Sequence, residues 1–181
     1  MSSSDAEVGE VILSAAQIAE GVRKLAAQIN RDYAGREVVL VGVLTGAAVF
    51  LSDLMRQLTV PVQVDFIAVS SYENATVSSG RVRVLKDLTC EVAGRDVLVV
   101  EDIVDTGRSL QAILELVRQR GAASVKTVCL LSKPSRREVD VTPDYCAFEI
   151  PDKFVVGYGL DYAQKYRNLP YIAALVTQGR D

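Results

Sequence analysis

The sequence predicts an α/β fold, a mainly parallel sheet with helices on both faces. Two patterns and their order support this. Runs that are apolar at nearly every position, such as Val38–Leu44 and Val97–Val100, read as strands covered on both sides. Segments with apolar residues three and four apart, such as Ile18, Val22, Leu25 and Ile29, read as amphipathic helices. The two patterns alternate, and strand–helix–strand alternation sets successive strands parallel. A length of 181 residues fits one domain over 1–181, with no linker or internal repeat.

Residues 1–10 are polar and acidic and are expected to be poorly ordered. Ser14 and Gln17 have capping-box spacing, so a helix starts there and runs toward Gly35. The strand Val38–Leu44 ends at Gly46, and Ala47–Leu58 follows as a helix with Phe50, Leu51, Leu54 and Leu58 inward. Val62–Val69 is the next strand. The polar stretch Ser70–Arg81 has no core periodicity, and a loop that long is usually functional or mobile. Val82–Leu85 alternates as a short strand. Val97–Val100 ends in Glu101 and Asp102, and Arg108–Arg120 has helical spacing up to Gly121. Val125–Leu131, Tyr145–Glu149 and Lys153–Gly157 complete the strands.

Composition removes whole classes of function. At 49% hydrophobic residues the chain is not intrinsically disordered. A net charge of −3 argues against a nucleic-acid partner. The chain has no histidine, which excludes Ser-His-Asp hydrolases, Cys-His proteases and His-ligated zinc. Cys90, Cys129 and Cys146 are widely spaced and form no C-x-x-C pair, so they read as free thiols of a reducing compartment. No apolar run is long enough to span a bilayer and no secretory signal is visible, so the expected location is cytoplasmic, away from membranes.

The most informative segment runs from Val97 to Ser109. Adjacent carboxylates at the end of a buried strand are unfavourable unless cations or hydroxyl donors meet them. Sugar hydroxyls and a hydrated Mg²⁺ would supply both. Beyond Asp105, Thr106-Gly107-Arg108-Ser109 enters a helix. Gly107 lets the backbone approach a ligand, the Thr106 and Ser109 hydroxyls can donate, and the first helical N–H groups point outward. This is a phosphate cradle beside a diol-and-metal site. The plainer alternative is that Asp105, Thr106 and Ser109 only cap the helix. Neither G-x-x-x-x-G-K-[ST] nor G-x-G-x-x-G occurs, which excludes a P-loop NTPase and a dinucleotide fingerprint.

Glu101–Ser109 resembles the ribose-phosphate signature of type I phosphoribosyltransferases. Asp65-Phe-Ile with Ser71-Tyr72, and Phe148 through Lys153-Phe154-Val155 and Gly157 to Asp161-Tyr162, narrow the resemblance to the short bacterial hypoxanthine-guanine (6-oxopurine) phosphoribosyltransferases. It covers nearly the whole chain. It implies that family's fold, with a small hood over the sheet, and transfer of a 5-phosphoribosyl group from 5-phosphoribosyl 1-pyrophosphate (PRPP) to hypoxanthine or guanine.

The resemblance also implies residue roles. Glu101 and Asp102 hold the ribose hydroxyls, and with Asp161 they ligate Mg²⁺. Asp105 is the general acid/base at the purine's imidazole nitrogen, and Asp105 to Ser109, through Thr106, Gly107 and Arg108, wraps the 5′-phosphate. A carboxylate suits proton transfer where histidine is absent. Leu44-Thr45-Gly46 matches the pyrophosphate loop, which carries a non-proline cis peptide in the family. Many relatives have Lys at the Thr45 position; a backbone contact survives that difference, a lysine charge does not. Arg167 matches a pyrophosphate-binding arginine. Residues 70–81 form a lid whose Ser71 and Tyr72 close over the reactants. Lys133 donates to the 6-oxo group, Phe154 stacks on the base, and Val155, Ile103 and Asp161 complete the purine site. Lys153 and Arg137 lie near it without an assigned role. The family also implies a homodimer or homotetramer. Other readings of the same residues are a non-catalytic PRPP-binding regulator and a transferase preferring xanthine or a pyrimidine.

Overall fold

Ser14 starts the first helix as its spacing predicts. Its Oγ accepts from the Gln17 N–H at 3.2 Å, and Gln17 Oε1 accepts from the Ser14 N–H at 2.8 Å. In the computed structural model, which describes residues 6–71 and 82–177, this helix is α1 (Ala15–Asp32). The other elements are β1 (Ala6–Leu13), β2 (Val38–Val43), α2 (Ala47–Met55), β3 (Val62–Ser71), β4 (Val82–Lys86), β5 (Asp96–Val104), α3 (Arg108–Gln119), β6 (Ser124–Ser132), a 3₁₀ turn at Pro134–Arg136, β7 (Tyr145–Glu149), β8 (Val155–Val156) and β9 (Ile172–Thr177).

The larger sheet has the order β4-β3-β2-β5-β6-β7, with only β4 antiparallel to its neighbour. Side chains alternate across it. Leu40, Leu98, Val100, Val128 and Leu130 pack with α1 and with Phe50, Leu51 and Leu54 of α2. Val39, Val41, Val97, Val99 and Cys129 pack on the other face with Leu110, Ile113, Leu114 and Val117 of α3. Helices therefore cover both faces, as expected. Among the described residues, no helix is long and apolar enough to cross a membrane.

Several elements differ from the sequence reading: β9 was not expected, β8 is shorter than Lys153–Gly157, β3 runs on to Ser71, and three further differences have a tertiary reason. Residues 6–10 are not poorly ordered: they belong to β1, which pairs antiparallel with β9. Gly9 lies so close to Val176 of β9 that a side chain there would collide with it. β5 does not stop at Val100 but carries Glu101 and Asp102 inside the strand, because β6 keeps pairing as far as Val104 with Ser132. α2 ends at Met55 rather than Leu58, where Asn30 of α1 takes over the backbone: its Nδ2 donates to Gln57 O and its Oδ1 accepts from the Thr59 N–H.

β1, β9 and β8 form a second, three-stranded sheet, the small hood. Leu13, Val155 and Ile172 join it to the core beneath α1, and the Tyr158 hydroxyl donates to Asp53 of α2 at 2.6 Å. Asp65, part of the resemblance, anchors β3. Burial alone would raise its pKa, but the N–H groups of Cys90, Phe66 and Thr89 outweigh that and hold the carboxyl below the usual range.

From β2 the chain crosses through α2 to β3 on one side, whereas β5 continues to β6 on the other. Strand order thus reverses between β2 and β5, and ligands of such sheets bind at the carboxyl ends beside that reversal.

Candidate active site

At the reversal a cavity of about 340 Å³ is lined by Val43, Leu44, Thr45 and Gly46 from the end of β2, and by Glu101, Asp102, Ile103 and Asp105 from β5 and the residue after it. Lys133 after β6 and Phe154, Val155, Leu160, Asp161 and Arg167 from the hood side close it. Three remote segments therefore meet where the sequence reading placed one site.

Close backbone approach makes the meeting possible. The Leu44–Thr45 peptide is cis, and the Leu44 N–H donates to Ile67 O at 2.8 Å. A Cβ on Gly46 would overlap the Asp102 carboxylate, and one on Gly159 would overlap the Gly46 carbonyl oxygen. Glycine is required at both contacts.

Glu101 is buried and Asp102 half-buried. Burial, reinforced by the charge of Asp102, pushes the Glu101 pKa well up. Burial also raises Asp102 to about 6, against the Ile103 N–H that donates to its Oδ1 at 2.6 Å and the Arg167 charge. Among the described residues neither acid forms an ion pair with Lys or Arg. A buried carboxylate pair without a direct ion-pair partner is suited to a divalent cation or to hydroxyl donors.

Asp161, the expected third metal ligand, lines the same cavity as Glu101 and Asp102 and is held there by two contacts. Its Oδ1 pairs with Arg167 at 2.9 Å and its Oδ2 accepts from the Gln164 N–H. Among the described residues no group of three or more ligating side chains could hold a metal, so Glu101, Asp102 and Asp161 line one cavity without forming a ready-made cage. Arg167 also donates to Gly159 O at 2.6 Å. Around this pair Tyr158, Ala163, Gln164 and Tyr166 all have positive φ, between 50° and 77°, a concentration of left-handed backbone that surrounding contacts must impose.

Gly107 starts α3 at φ 85° with no side-chain cap, and Arg137 and Val139 fill the space beside it. Thr106 Oγ1 accepts from the Arg108 N–H only at 3.4 Å. The capping alternative therefore explains little of this turn. Thr106, Gly107, Arg108 and Ser109 lie beyond the cavity wall, and the Arg108 side chain is turned to Glu138 rather than inward.

Lys133 is buried, with Nζ 4.0 Å from Asp105 Oδ2 and 3.7 Å from Asp152 Oδ1. Phe154 is 55% exposed and meets the Tyr162 ring edge-on, with centroids 5.7 Å apart. Val155 is buried and pairs with Ala174. Lys153 points elsewhere, to Glu10. Of the expected lid, Ser70 and Ser71 end β3, and Tyr72 through residue 81 lie outside the described residues.

The sequence reading passed over Val43 and Leu160 in the cavity wall, and Arg136 and Asp152 beside Asp105 and Lys133. The doublet Arg136-Arg137, so soon after Lys133-Pro134, was the available signal.

Residues 9–163 match the phosphoribosyl transferase domain family. The chain is 48% identical over 169 residues to the bifunctional protein TilS/HprT of Listeria monocytogenes, covering 93% of this chain and 26% of that protein. It thus spans about a quarter of the length of that relative. It is 47% identical over 169 residues to the hypoxanthine-guanine phosphoribosyltransferase of Bacillus subtilis, covering 93% of this chain and 94% of that one. A solved hypoxanthine-guanine phosphoribosyltransferase from Bacillus anthracis superposes with a TM-score of 0.91 at 44% identity, covering 96% of this chain and 100% of that one.

Proposed function

The chain belongs to the phosphoribosyl transferase family, and from that premise we propose that it joins hypoxanthine or guanine to PRPP, releasing pyrophosphate and yielding IMP or GMP. The observation that carries this reading is the single cavity in which the turn after β2, the acids of β5, Lys133 and Phe154 face one another.

Each wall has a task in that reaction. Gly46 leaves the turn after β2 bare for pyrophosphate, and Arg167, fixed by Gly159 O and Asp161, adds a guanidinium on the same side. Glu101 and Asp102 take the ribose hydroxyls, and with Asp161 they would hold Mg²⁺, which fits a buried carboxylate pair that forms no direct ion pair with Lys or Arg among the described residues. When bound, Mg²⁺ stabilises the negative charge of the departing pyrophosphate. As the bond from base nitrogen to anomeric carbon forms and the bond to pyrophosphate breaks, the imidazole ring of the purine sheds a proton, and Asp105 accepts it.

Asp105 and the turn that follows receive the 5′-phosphate at the start of α3. Lys133 donates to a 6-oxo group, which disfavours the 6-amino group of adenine. Phe154 offers an exposed ring face for stacking, with Ile103 and Val155 at the base edge. Assembly as a homodimer or homotetramer belongs to the same reading.

The test is incubation with PRPP, Mg²⁺ and a panel of hypoxanthine, guanine, xanthine, adenine and uracil, following pyrophosphate release. Release with hypoxanthine or guanine and none with adenine is the expected result. PRPP binding without release with any base would instead mark a non-catalytic binder.

A further inference from the structure

We propose that Arg136 is a positioning residue that acts through Asp105; the proposal rests on the reading of Asp105 as the proton acceptor. Asp105 stands free just past the end of β5, on a turn, where an aspartate side chain has two rotatable bonds and nothing in its own strand to hold it. The 3₁₀ turn supplies that hold from outside the cavity. Arg136 Nε donates to Asp105 Oδ1 at 3.2 Å, and Arg137 donates to the Asp105 carbonyl oxygen at 2.6 Å and to Ser132 Oγ at 2.8 Å. Adjacent arginines thus hold one residue by its side chain and by its main chain.

The geometry separates the two carboxylate oxygens. Oδ1 is engaged by Arg136, which is absent from the cavity wall, while Oδ2 faces Lys133, which is part of it. A carboxylate accepts at both oxygens, so a guanidinium on the outer one leaves the inner one free to meet substrate. Asp152 approaches the same Nε at 3.8 Å, farther than Asp105. The turn is set by its own backbone: the Arg136 N–H donates to Lys133 O and the Arg137 N–H to Pro134 O. Arg136 and Lys133, which reach Asp105 from the outside and the cavity side, are therefore fixed relative to each other.

Stability does not account for the contact. Arg136 and Asp105 are 47% and 42% exposed, a setting in which an ion pair adds little to folding. Orientation of a reacting group, by contrast, strongly affects rate. Without Arg136, the Asp105 carboxylate is free to turn fully onto Lys133, which withdraws the proton acceptor and the 6-oxo donor together.

Steady-state kcat and KM for PRPP and hypoxanthine, measured on the full chain, test this with wild type, R136A, R136K, D105N and the D105N/R136A double variant. R136A should lower kcat about tenfold with PRPP KM and Tm unchanged, and R136K should recover most of the loss. In the D105N background R136A should have no further effect, since a residue acting through Asp105 has nothing left to act on. Wild-type kcat in R136A, or the same fold loss with and without Asp105, would overturn the proposal. Full activity in D105N would overturn the reading of Asp105 itself, and this proposal with it.

Discussion

The Asp102 carboxylate occupies the space that a side chain at Gly46 would need. The turn after β2 and the acidic stretch of β5 therefore meet where Gly46 has no Cβ, in the wall of the cavity at the strand-order reversal.

Gly46→Ala should disturb both walls at once. The added methyl must displace the Asp102 carboxylate or the turn after β2, at a cost of about 1–3 kcal/mol. Urea unfolding should show that loss, and pyrophosphate release should fall by more than about tenfold. A variant with unchanged midpoint and rate would mean the turn relaxes freely.

Asp102 also gives the metal-free protein a pH dependence. In the unfolded chain its carboxyl ionises near the ordinary value of 3.8, whereas in the fold burial raises it to about 6. Between those values the folded state binds more protons than the unfolded one, so stability falls as pH rises through that window. Asp102→Asn should therefore raise Tm at pH 8, by the equivalent of no more than about 3 kcal/mol, with the gain shrinking below pH 6. Melting curves from pH 4 to 8 with a metal chelator present measure this, and a pH-independent difference between the two proteins would refute it.

Asp105→Asn keeps the shape of the side chain and removes its ability to take a proton. Turnover should drop by about 10²- to 10⁴-fold, while PRPP affinity measured by calorimetry stays close to wild type. A parallel loss of PRPP affinity would assign Asp105 to binding rather than proton transfer.

Thr45→Lys adds a cation beside the turn after β2. PRPP or pyrophosphate affinity should rise, while the rate ratio of hypoxanthine to guanine stays fixed, because the proposed base contacts are Lys133 and Phe154 rather than position 45. Equal affinities for both phosphate ligands in the two proteins would show that position 45 contributes only its backbone.

The parts of the fold legible in sequence were those set by local chemistry. The Ser14–Gln17 box marks the start of α1, and the unbroken apolar run Val97–Val100 marks a strand covered on both faces, its residues divided between the two helix layers. What escaped depends on partners distant in sequence. β1 is polar at Glu7 and Glu10 and exists because β9 pairs with it. The carboxylates of Glu101 and Asp102 announced a site, but nothing local indicated that β6 would keep pairing beneath them. Asp161 was singled out through the family motif, and it lines the cavity. That it would be taken up by Arg167 follows only from the left-handed loop that brings the two together.

Gly159 rests on the Gly46 carbonyl oxygen, and its neighbour Tyr158 is tethered to Asp53. Two walls of the chamber are thereby riveted into one body. Any tilt of the hood side that carries Gly159 must therefore carry the turn after β2 with it.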